Sequence, residues 1–122
     1  MSAVSSAPPR VSVMIPVYNE EESLVTLHRE LDAALASVAG GAEIVFVDDG
    51  SKDRSLAVLR EIAEKDPRVR VVVLDGNHGQ TAAFAAGFDA VRGEITVTLD
   101  ADLQNDPADI PRLIAKLDAE GA

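Results

Sequence analysis

Cysteine is absent from this sequence of 122 residues, which excludes disulfides, zinc–thiolate sites and cysteine nucleophiles. Positive charge is scarce, because 11 Lys and Arg accompany 21 Asp and Glu, and no basic cluster stands out. The formal net charge of −10 therefore argues against nucleic acid as a partner. No apolar run approaches the ~18 residues that a membrane-spanning helix needs. Neither a Gly-x-Gly-x-x-Gly nor a Walker-type glycine–lysine loop occurs, so a phosphorylated ligand needs positive charge from another source.

The residues that are present fit one globular domain. A length of 122 residues with 47% hydrophobic residues is typical of a single folded unit and argues against disorder. The stretch Ser2–Pro9 lacks the basic start and the apolar segment of a secretory signal. We therefore expect a flexible tail over residues 1–10, a domain over residues 11–122, and a cytoplasmic location.

Apolar, β-branched runs alternate four times with helical patterns, which predicts four β-α units. The predicted strands cover residues 11–15, 44–47, 69–74 and 95–99, and the predicted helices about 20–39, 52–66, 80–91 and 107 onward. The strands are nearly continuous apolar runs, as expected for a mainly parallel sheet covered by helices on both faces. The small residues of the third helix would let it approach the sheet closely.

Local signals predict where these elements begin and end. Pro16 is expected to stop the first strand, and Asn19 to cap the first helix with Glu22 as its reciprocal partner. Ser51 and Asp106 are expected to cap the second and fourth helices.

Two carboxylates one residue apart, Asp100 and Asp102, follow the fourth strand. Residues i and i+2 of an extended chain point the same way, so both can converge on one divalent cation. Oxygen ligands suit a hard ion, Mg²⁺ or Mn²⁺, and Gln104 offers a further neutral oxygen or only ties down the loop. A strand end that prepares the next helix also explains such residues, but their position favours a metal site.

A second acidic pair, Asp48 and Asp49, ends the second strand, and ligands of parallel sheets bind at such strand ends. Asp48 can accept hydrogen bonds from a base or a ribose, and Asp49 can cap the turn or assist the metal. The alternative is a plain Asp-Gly-Ser turn before the second helix. His78 either contacts a phosphate or is a solvated loop residue. A metal at Asp102 would neutralise a diphosphate, which fits the absence of a phosphate-binding glycine loop.

Four segments carry a resemblance to a known family. These segments are Val13–Glu20, Val47–Asp53, Asn77–Ala83 and Asp100–Gln104. Together they resemble the nucleotide-binding half of family 2 glycosyltransferases, which have the GT-A fold. The ending Asp102–Pro107 most resembles the branch that transfers sugars to polyprenyl phosphates, such as dolichol-phosphate mannose synthase. The resemblance covers about residues 11–119.

The resemblance implies a Rossmann-like α/β nucleotide-binding half with a defined set of site residues. The implied base and ribose pocket contains Pro16, Tyr18, Glu20 and Asp48, with Asp49 beside them, and the implied metal site on the diphosphate contains Asp100, Asp102 and Gln104. The implied reaction transfers a hexose from a UDP- or GDP-sugar to a polyprenyl phosphate with inversion, at the inner face of a membrane. Because a phosphate acceptor is already anionic, a strong general base is unnecessary.

Members of that family continue beyond the position that matches Ala122 with a further half for the acceptor. We therefore expect the acceptor half to be absent, and nucleotide binding to occur with weak or no transfer. The fourth strand is expected to form an exposed edge and to promote self-association.

Two other classes of protein share this β-α alternation. A receiver-like signalling domain also binds Mg²⁺ through acidic residues, but its acidic pair follows the first strand and its phospho-accepting Asp follows the third. A dinucleotide-binding domain needs glycines where this chain has Pro16–Asn19 in its first turn. The sequence therefore favours the glycosyltransferase interpretation.

Overall fold

The computed structural model describes residues 8–120 and shows four strands that alternate with four helices. The elements are β1 (Val11–Val17), α1 (Leu24–Leu35), β2 (Ala42–Asp48), α2 (Ser55–Lys65), β3 (Val69–Val73), α3 (Gln80–Ala90), β4 (Ile95–Thr98) and α4 (Asp109–Ala119). The predicted order of β-α units is confirmed. In the described part of the chain, none of the helices combines the length and the apolar character needed to cross a membrane.

Most of the expected N-terminal tail, residues 1–7, lies outside the described residues. Arg10, which was expected in that tail, is instead held by the fold. Its backbone N–H donates to the Gly40 carbonyl at 3.1 Å, its carbonyl accepts the N–H of Ile95 at 3.0 Å, and its side chain pairs with Asp118.

All four strands are parallel and lie in the order β3-β2-β1-β4. The register pairs Val13 with Ile44 on one side and with Val97 on the other. The two central strands, β1 and β2, are buried along nearly their whole length, as expected for a sheet with helices on both faces. As predicted, β4 is an edge strand of the described sheet, and self-association through it stays a prediction.

Helices α1, α2 and α4 pack on one face of the sheet, and α3 packs on the other. The first face buries large side chains completely, among them Leu27, Phe46 and Leu59. On the second face α3 lies very close, since a Cβ added at Gly87 would be 2.6 Å from the Met14 side chain. The expectation that small residues bring this helix against the sheet is therefore confirmed.

The first helix begins at Leu24 rather than near Glu20, and Asn19 does not cap it. Asn19 takes a left-handed backbone conformation, with a φ of 53°. Its Oδ1 accepts hydrogen bonds from the backbone N–H groups of Lys52 (2.8 Å) and Asp53 (3.4 Å). Short polar side chains compete in this way for backbone donors, so a residue with a high capping preference need not cap the nearest helix.

The predicted caps Ser51 and Asp106 also precede their helices, because α2 begins at Ser55 and α4 at Asp109. The Ser51 hydroxyl accepts the backbone N–H of Asn19 at 3.0 Å, and so joins the loop after β1. Asp106 closes a turn, since its Oδ1 accepts the backbone N–H two residues further on at 2.9 Å. The capping prediction for Ser51 is wrong because its side chain binds a donor in another loop, whereas the Asp106 side chain makes a cap-like contact in the turn that leads into α4, although the helix begins only at Asp109.

Pro16 does not stop β1, which continues to Val17. The Met14 carbonyl accepts the N–H of Leu99 on the β4 side, whereas the Val17 carbonyl accepts the N–H of Asp49 on the β2 side. Successive residues of a strand alternate between the two neighbours, so the N–H that Pro16 lacks would face the β4 side. Pairing with β4 ends at Met14, and the missing donor is therefore tolerated.

The amino end of the sheet holds a buried carboxylate, Glu43, which is only 2% exposed. It accepts hydrogen bonds from Ser12 Oγ (2.6 Å), Arg70 Nη1 (2.8 Å), and the backbone N–H and Nε of Arg92 (2.7 and 3.2 Å). Burial alone would raise the pKa of Glu43, but these hydrogen bonds together lower it below its ordinary value. The cluster ties the starts of β1, β2 and β3 to the end of α3.

A second buried carboxylate near this end, Asp66, lies between α2 and β3. Arg68 Nη2 donates to it at 2.7 Å, and His28 Nε2 lies 2.8 Å from the same oxygen. The hydrogen bonds from Arg68, opposed by burial and reinforced by His28, hold the pKa of Asp66 far below its ordinary value.

Candidate functional site

A cavity of about 330 Å³ opens at the carboxyl ends of the strands. Loops after all four strands and the first turn of α3 form its wall. The lining residues are Pro16, Val17, Tyr18, Glu20, Asp49, Asn77, Gly79, Gln80, Ala83, Asp100, Ala101 and Asp102. The polar clusters that the sequence placed at separate strand ends therefore meet in one site, where parallel sheets bind their ligands.

The wall of this cavity is lined by acidic side chains and by no basic ones. Glu20, Asp49, Asp100 and Asp102 line it, and its lining contains neither Lys nor Arg. A bare anionic ligand would be repelled by these carboxylates. An anion can bind here when a cation neutralises both the ligand and the wall.

Both aspartates are buried, but Asp49 contributes to the cavity wall and Asp48 lies behind it. The Asp49 carboxylate accepts the backbone N–H groups of His78 on Oδ1 (2.8 Å) and of Gly79 on Oδ2 (3.0 Å). Asp48 is 2% exposed, its Oδ2 accepts the N–H of Ser51 at 3.3 Å, and its Oδ1 has no partner among the described residues. Only Asp49 of the pair therefore lines the cavity, because adjacent residues at a strand end face opposite ways, and ligand binding by Asp48 and Asp49 stays a prediction.

Asp100 and Asp102 both line the cavity, although by a different route from the predicted one. β4 ends at Thr98, and the chain then turns rather than staying extended. Ala101 is buried, while the aspartates on either side of it are exposed. The backbone N–H of Asp100 donates to Asn105 Oδ1 at 3.0 Å, which closes the loop. The turn therefore presents both carboxylates to one cavity.

These two carboxylates fit a divalent cation that is shared with an anionic ligand. Within residues 8–120, no three metal-binding side chains are grouped closely enough to enclose an ion by themselves. Mg²⁺ is usually held by one or two carboxylates, with phosphate oxygens and water as its other ligands. The Gln104 side chain does not line the cavity, and its backbone N–H donates to Asp102 Oδ1 at 3.2 Å. Metal binding by Asp100, Asp102 and Gln104 stays a prediction, for which the first two are well placed.

Tyr18 and Glu20 reach the cavity from the loop after β1. The Tyr18 side chain is among the exposed large side chains, so its ring is available to a ligand. The Glu20 carboxylate accepts the hydroxyl of Ser23 at 3.1 Å, which directs it along the loop. With Pro16 beside them, these residues form a mixed apolar and polar side of the cavity.

The predicted site omitted the lining residues of the turn between β3 and α3, which are Asn77, Gly79 and Gln80. Their signal in the sequence is position, because a polar loop after a predicted parallel strand belongs at the same edge as the other loops. His78 does not line the cavity. Its ring hydrogen-bonds the exposed Asp75 and lowers the pKa of that carboxyl.

A match to a known family covers nearly the whole described domain. Residues 12–122 match the sequence profile of Glycosyl transferase family 2. The chain belongs to this family. The resemblance drawn from four sequence segments is confirmed, and the receiver-like and dinucleotide-binding alternatives are wrong.

Among curated proteins, this family 2 chain is similar to sugar transferases that act on undecaprenyl phosphate. An undecaprenyl-phosphate 4-deoxy-4-formamido-L-arabinose transferase from Pseudomonas paraeruginosa is 54% identical over 107 residues, which cover 87% of this chain and 32% of the relative. The resemblance to the polyprenyl-phosphate branch is therefore confirmed. The chain spans about a third of the length of the curated relatives it matches.

Solved structures of GT-A glycosyltransferases share the fold of this family 2 chain. S. aureus TarS in complex with UDP-GlcNAc superposes with a TM-score of 0.78 at 25% identity, over 92% of this chain and 32% of that one. The mannosyltransferase PcManGT from Pyrobaculum calidifontis, in complex with GDP-Man and Mn²⁺, has a TM-score of 0.63 at 27% identity, over 85% and 30% of the two chains. The predicted GT-A fold class is confirmed.

Proposed function

We propose that this chain binds a nucleotide sugar in the cavity at the carboxyl ends of its strands, with Mg²⁺ or Mn²⁺ on the diphosphate. The complete enzyme would then transfer the hexose, with inversion, to a polyprenyl phosphate. The charge of the cavity wall carries this proposal, since four carboxylates line it and neither Lys nor Arg does. Such a wall suits a metal–diphosphate complex and disfavours a diphosphate alone.

The nucleoside is assigned to the side of the cavity formed by Pro16, Tyr18, Glu20 and Asp49. Pro16 and the Tyr18 ring offer apolar and aromatic surface against which a base can pack. Each Asp49 oxygen accepts one backbone N–H and keeps further lone-pair capacity for a base or ribose donor. Glu20 can accept hydrogen bonds from ribose hydroxyls in the same way.

The diphosphate is assigned to the side formed by Asp100 and Asp102, which would hold the cation. When bound, Mg²⁺ or Mn²⁺ neutralises the diphosphate and stabilises it as a leaving group. The hydrogen bond from the Asp100 N–H to Asn105 and that from the Gln104 N–H to Asp102 fix the loop that carries both carboxylates. These contacts would orient the ligands before the cation arrives.

The acceptor is assigned from the curated relatives, whose name specifies undecaprenyl phosphate. A phosphate acceptor carries its own negative charge, so it needs no strong general base to activate it. The neighbouring structures hold UDP-GlcNAc and GDP-Man, and both UDP- and GDP-sugars are therefore candidate donors.

Calorimetric titration of UDP and of GDP, each with and without Mn²⁺, tests this proposal. One nucleotide is expected to bind only with Mn²⁺, and Asp102→Asn to weaken that binding at least about tenfold. Asp89→Asn is the matched control, because Asp89 is an exposed α3 residue outside the cavity lining and its loss removes the same charge. The proposal fails if the folded wild-type chain binds neither nucleotide, or if Asp102→Asn binds as well as Asp89→Asn.

A further inference from the structure

The loop after β1 and the loop after β2 are joined by side chains that bond the backbone of the opposite loop. The contacts are Asn19 N–H to Ser51 Oγ (3.0 Å), Lys52 N–H to Asn19 Oδ1 (2.8 Å), Asp53 N–H to Asn19 Oδ1 (3.4 Å), Glu20 N–H to Ser55 Oγ (2.8 Å) and Glu21 N–H to Asp53 Oδ2 (3.2 Å). We call the four side chains Asn19, Ser51, Asp53 and Ser55 the interloop clasp. Each loop therefore fixes the other's backbone.

The clasp holds a backbone conformation that the chain would otherwise seldom adopt. Asn19 has a φ of 53°, in the left-handed region that is uncommon for residues other than glycine. Asparagine tolerates this region better than most residues, and its Oδ1 here accepts two backbone N–H groups. A conformation of this kind persists when its surroundings determine it.

The residues on either side of Asn19 are the ones that line the cavity. Tyr18 and Glu20 both contribute to its wall, and the Glu20 N–H is fixed by Ser55, whose side chain is completely buried. Turning the backbone at Asn19 would move both wall residues together. The position of this wall therefore depends on the clasp.

The clasp also connects to Asp48 behind the wall, whose Oδ1 has no partner among the described residues. Asp48 accepts the N–H of Ser51, and Ser51 in turn accepts the N–H of Asn19. This chain of contacts runs from the end of β2 to the cavity wall. It gives the otherwise unexplained buried Asp48 a place in the support of the loop after β1.

Packing of α1 does not require these contacts. α1 is anchored by Leu24, Leu27 and Leu31, which are all completely buried in the core. Hydrogen bonds of exposed backbone, such as those to Asn19 Oδ1, add little to stability because water competes for the same groups. These hydrogen bonds therefore determine the conformation of the loop after β1 rather than the packing of α1.

We propose that Asn19 and Ser55 are positioning residues that fix Tyr18 and Glu20 on the cavity wall before the nucleotide binds. This inference rests on the proposed function, because it concerns the same cavity. Ligand binding to a preorganised wall avoids the cost of ordering the loop on association. Loss of the clasp is therefore expected to lower nucleotide affinity more than it disturbs the fold.

The test compares Ser55→Ala with Ser12→Ala, a matched substitution at the opposite end of the sheet. Both serines are completely buried, and each Oγ accepts a backbone N–H at 2.8 Å, from Glu20 and from Gly93 respectively. Affinity for the nucleotide that binds wild type is measured with Mn²⁺ at a temperature where both variants are folded. Ser55→Ala is expected to weaken binding about tenfold, the factor for one hydrogen bond of about 1.4 kcal/mol, and Ser12→Ala to leave it unchanged.

Asn19→Gly is the second variant, because glycine keeps the left-handed φ accessible and removes only the side-chain acceptor. It is expected to weaken nucleotide binding like Ser55→Ala, with faster hydrogen exchange confined to the loops after β1 and β2, including the N–H groups of Lys52 and Asp53 that lose their acceptor. Equal affinity of wild type, Ser55→Ala and Asn19→Gly would overturn the positioning role while leaving the proposed function intact. Absence of binding by wild type itself would overturn the proposed function and this inference together.

Discussion

The carboxylates at the two ends of the parallel sheet differ in whether arginine side chains accompany them. At the amino end, Glu43 and Asp66 are buried and receive hydrogen bonds from arginine side chains. At the carboxyl end, the four carboxylates that line the cavity have no Lys or Arg beside them in its lining. Carboxylates that are paired with arginine stabilise the fold, whereas carboxylates without a cationic partner, among them the exposed Asp100 and Asp102, remain available to bind a cation.

This difference separates residues that hold the domain together from residues that serve its ligand. Glu43 accepts four hydrogen bonds and joins three strands to α3, so its removal disturbs many elements. The loop carrying Asp100 and Asp102 is held by contacts to backbone N–H groups. Loss of a carboxylate charge there leaves the core untouched. A substitution at one end of the sheet is therefore expected to have effects that stay at that end.

The largest effect on stability is expected at Glu43. Glu43→Ala leaves the buried Ser12 hydroxyl and the Arg92 N–H without their acceptor, at a cost of about 3 kcal/mol in the free energy of unfolding. Urea unfolding measures this loss, with the exposed α2 substitution Glu61→Ala as control. Nucleotide affinity of the folded fraction should be unchanged. A Glu43→Ala protein as stable as Glu61→Ala would show that the cluster does not stabilise the fold.

The pH dependence of stability is expected to come from the same end. The pKa of Asp66 is held far below its ordinary value, so the folded state binds fewer protons than the unfolded state when the pH falls below about 5. The stabilisation is complete above the ordinary pKa and is lost as the pH falls through the folded one. Asp66→Asn should remove about 2 kcal/mol at neutral pH, the contribution of hydrogen bonds to a charged group.

Unfolding by urea between pH 6 and pH 2 checks this sign, since Asp66→Asn should lose stability less steeply than wild type on acidification. Asp89→Asn supplies the control, because it removes the same charge from an exposed position. Parallel pH profiles for wild type and Asp66→Asn would mean that other carboxylates dominate acid unfolding.

The fold was largely predictable from the sequence because its signals are local and mutually consistent. The apolar runs from Val11 and from Ile44 can hardly be surface strands, and the Ala/Gly-rich segment from Gln80 fits only a helix packed closely on a sheet. Parallel pairing then brings the carboxyl ends of all the strands to one edge of the sheet, and this edge is where the cavity lies. Only the ends of the elements shifted, by a few residues.

The details of the site were less predictable because they depend on individual side-chain hydrogen bonds and on which way a residue faces, neither of which the apolar pattern encodes. Asn19 has the sequence context of a helix cap, but its N–H is bound by Ser51, which is 32 residues away. The choice between Asp48 and Asp49 depends on which way the last residue of β2 faces. The turn after Thr98 depends on a hydrogen bond from the Asp100 N–H to Asn105 rather than on strand geometry. No local pattern encodes these contacts.

At the carboxyl end, Asp100→Asn is expected to act on binding rather than on stability. Loss of one metal-binding charge should weaken Mn²⁺-dependent nucleotide affinity by about tenfold, which corresponds to about 1.4 kcal/mol. The free energy of unfolding should stay the same or rise slightly, because one of several neighbouring like charges is removed. Calorimetry and urea unfolding of Asp100→Asn are measured together. A fall in stability with constant affinity would refute the idea that carboxylates at this end serve the ligand rather than the fold.

The smallest effect is expected at His78. Its substitution tests whether this residue belongs to the ligand site at the carboxyl end of the sheet. Its ring hydrogen-bonds the exposed Asp75 and does not line the cavity, although its backbone N–H donates to Asp49. His78→Gln keeps that backbone contact and should leave Tm and nucleotide affinity unchanged, because exposed pairs contribute little. Calorimetry at pH 6 and pH 8 checks this expectation. A loss of affinity in His78→Gln that grows at lower pH would instead mean that the loop after β3 turns its imidazolium toward the bound phosphates. The carboxyl end of the sheet would then also supply a cationic side chain, and the two ends would differ only in how many such side chains they hold.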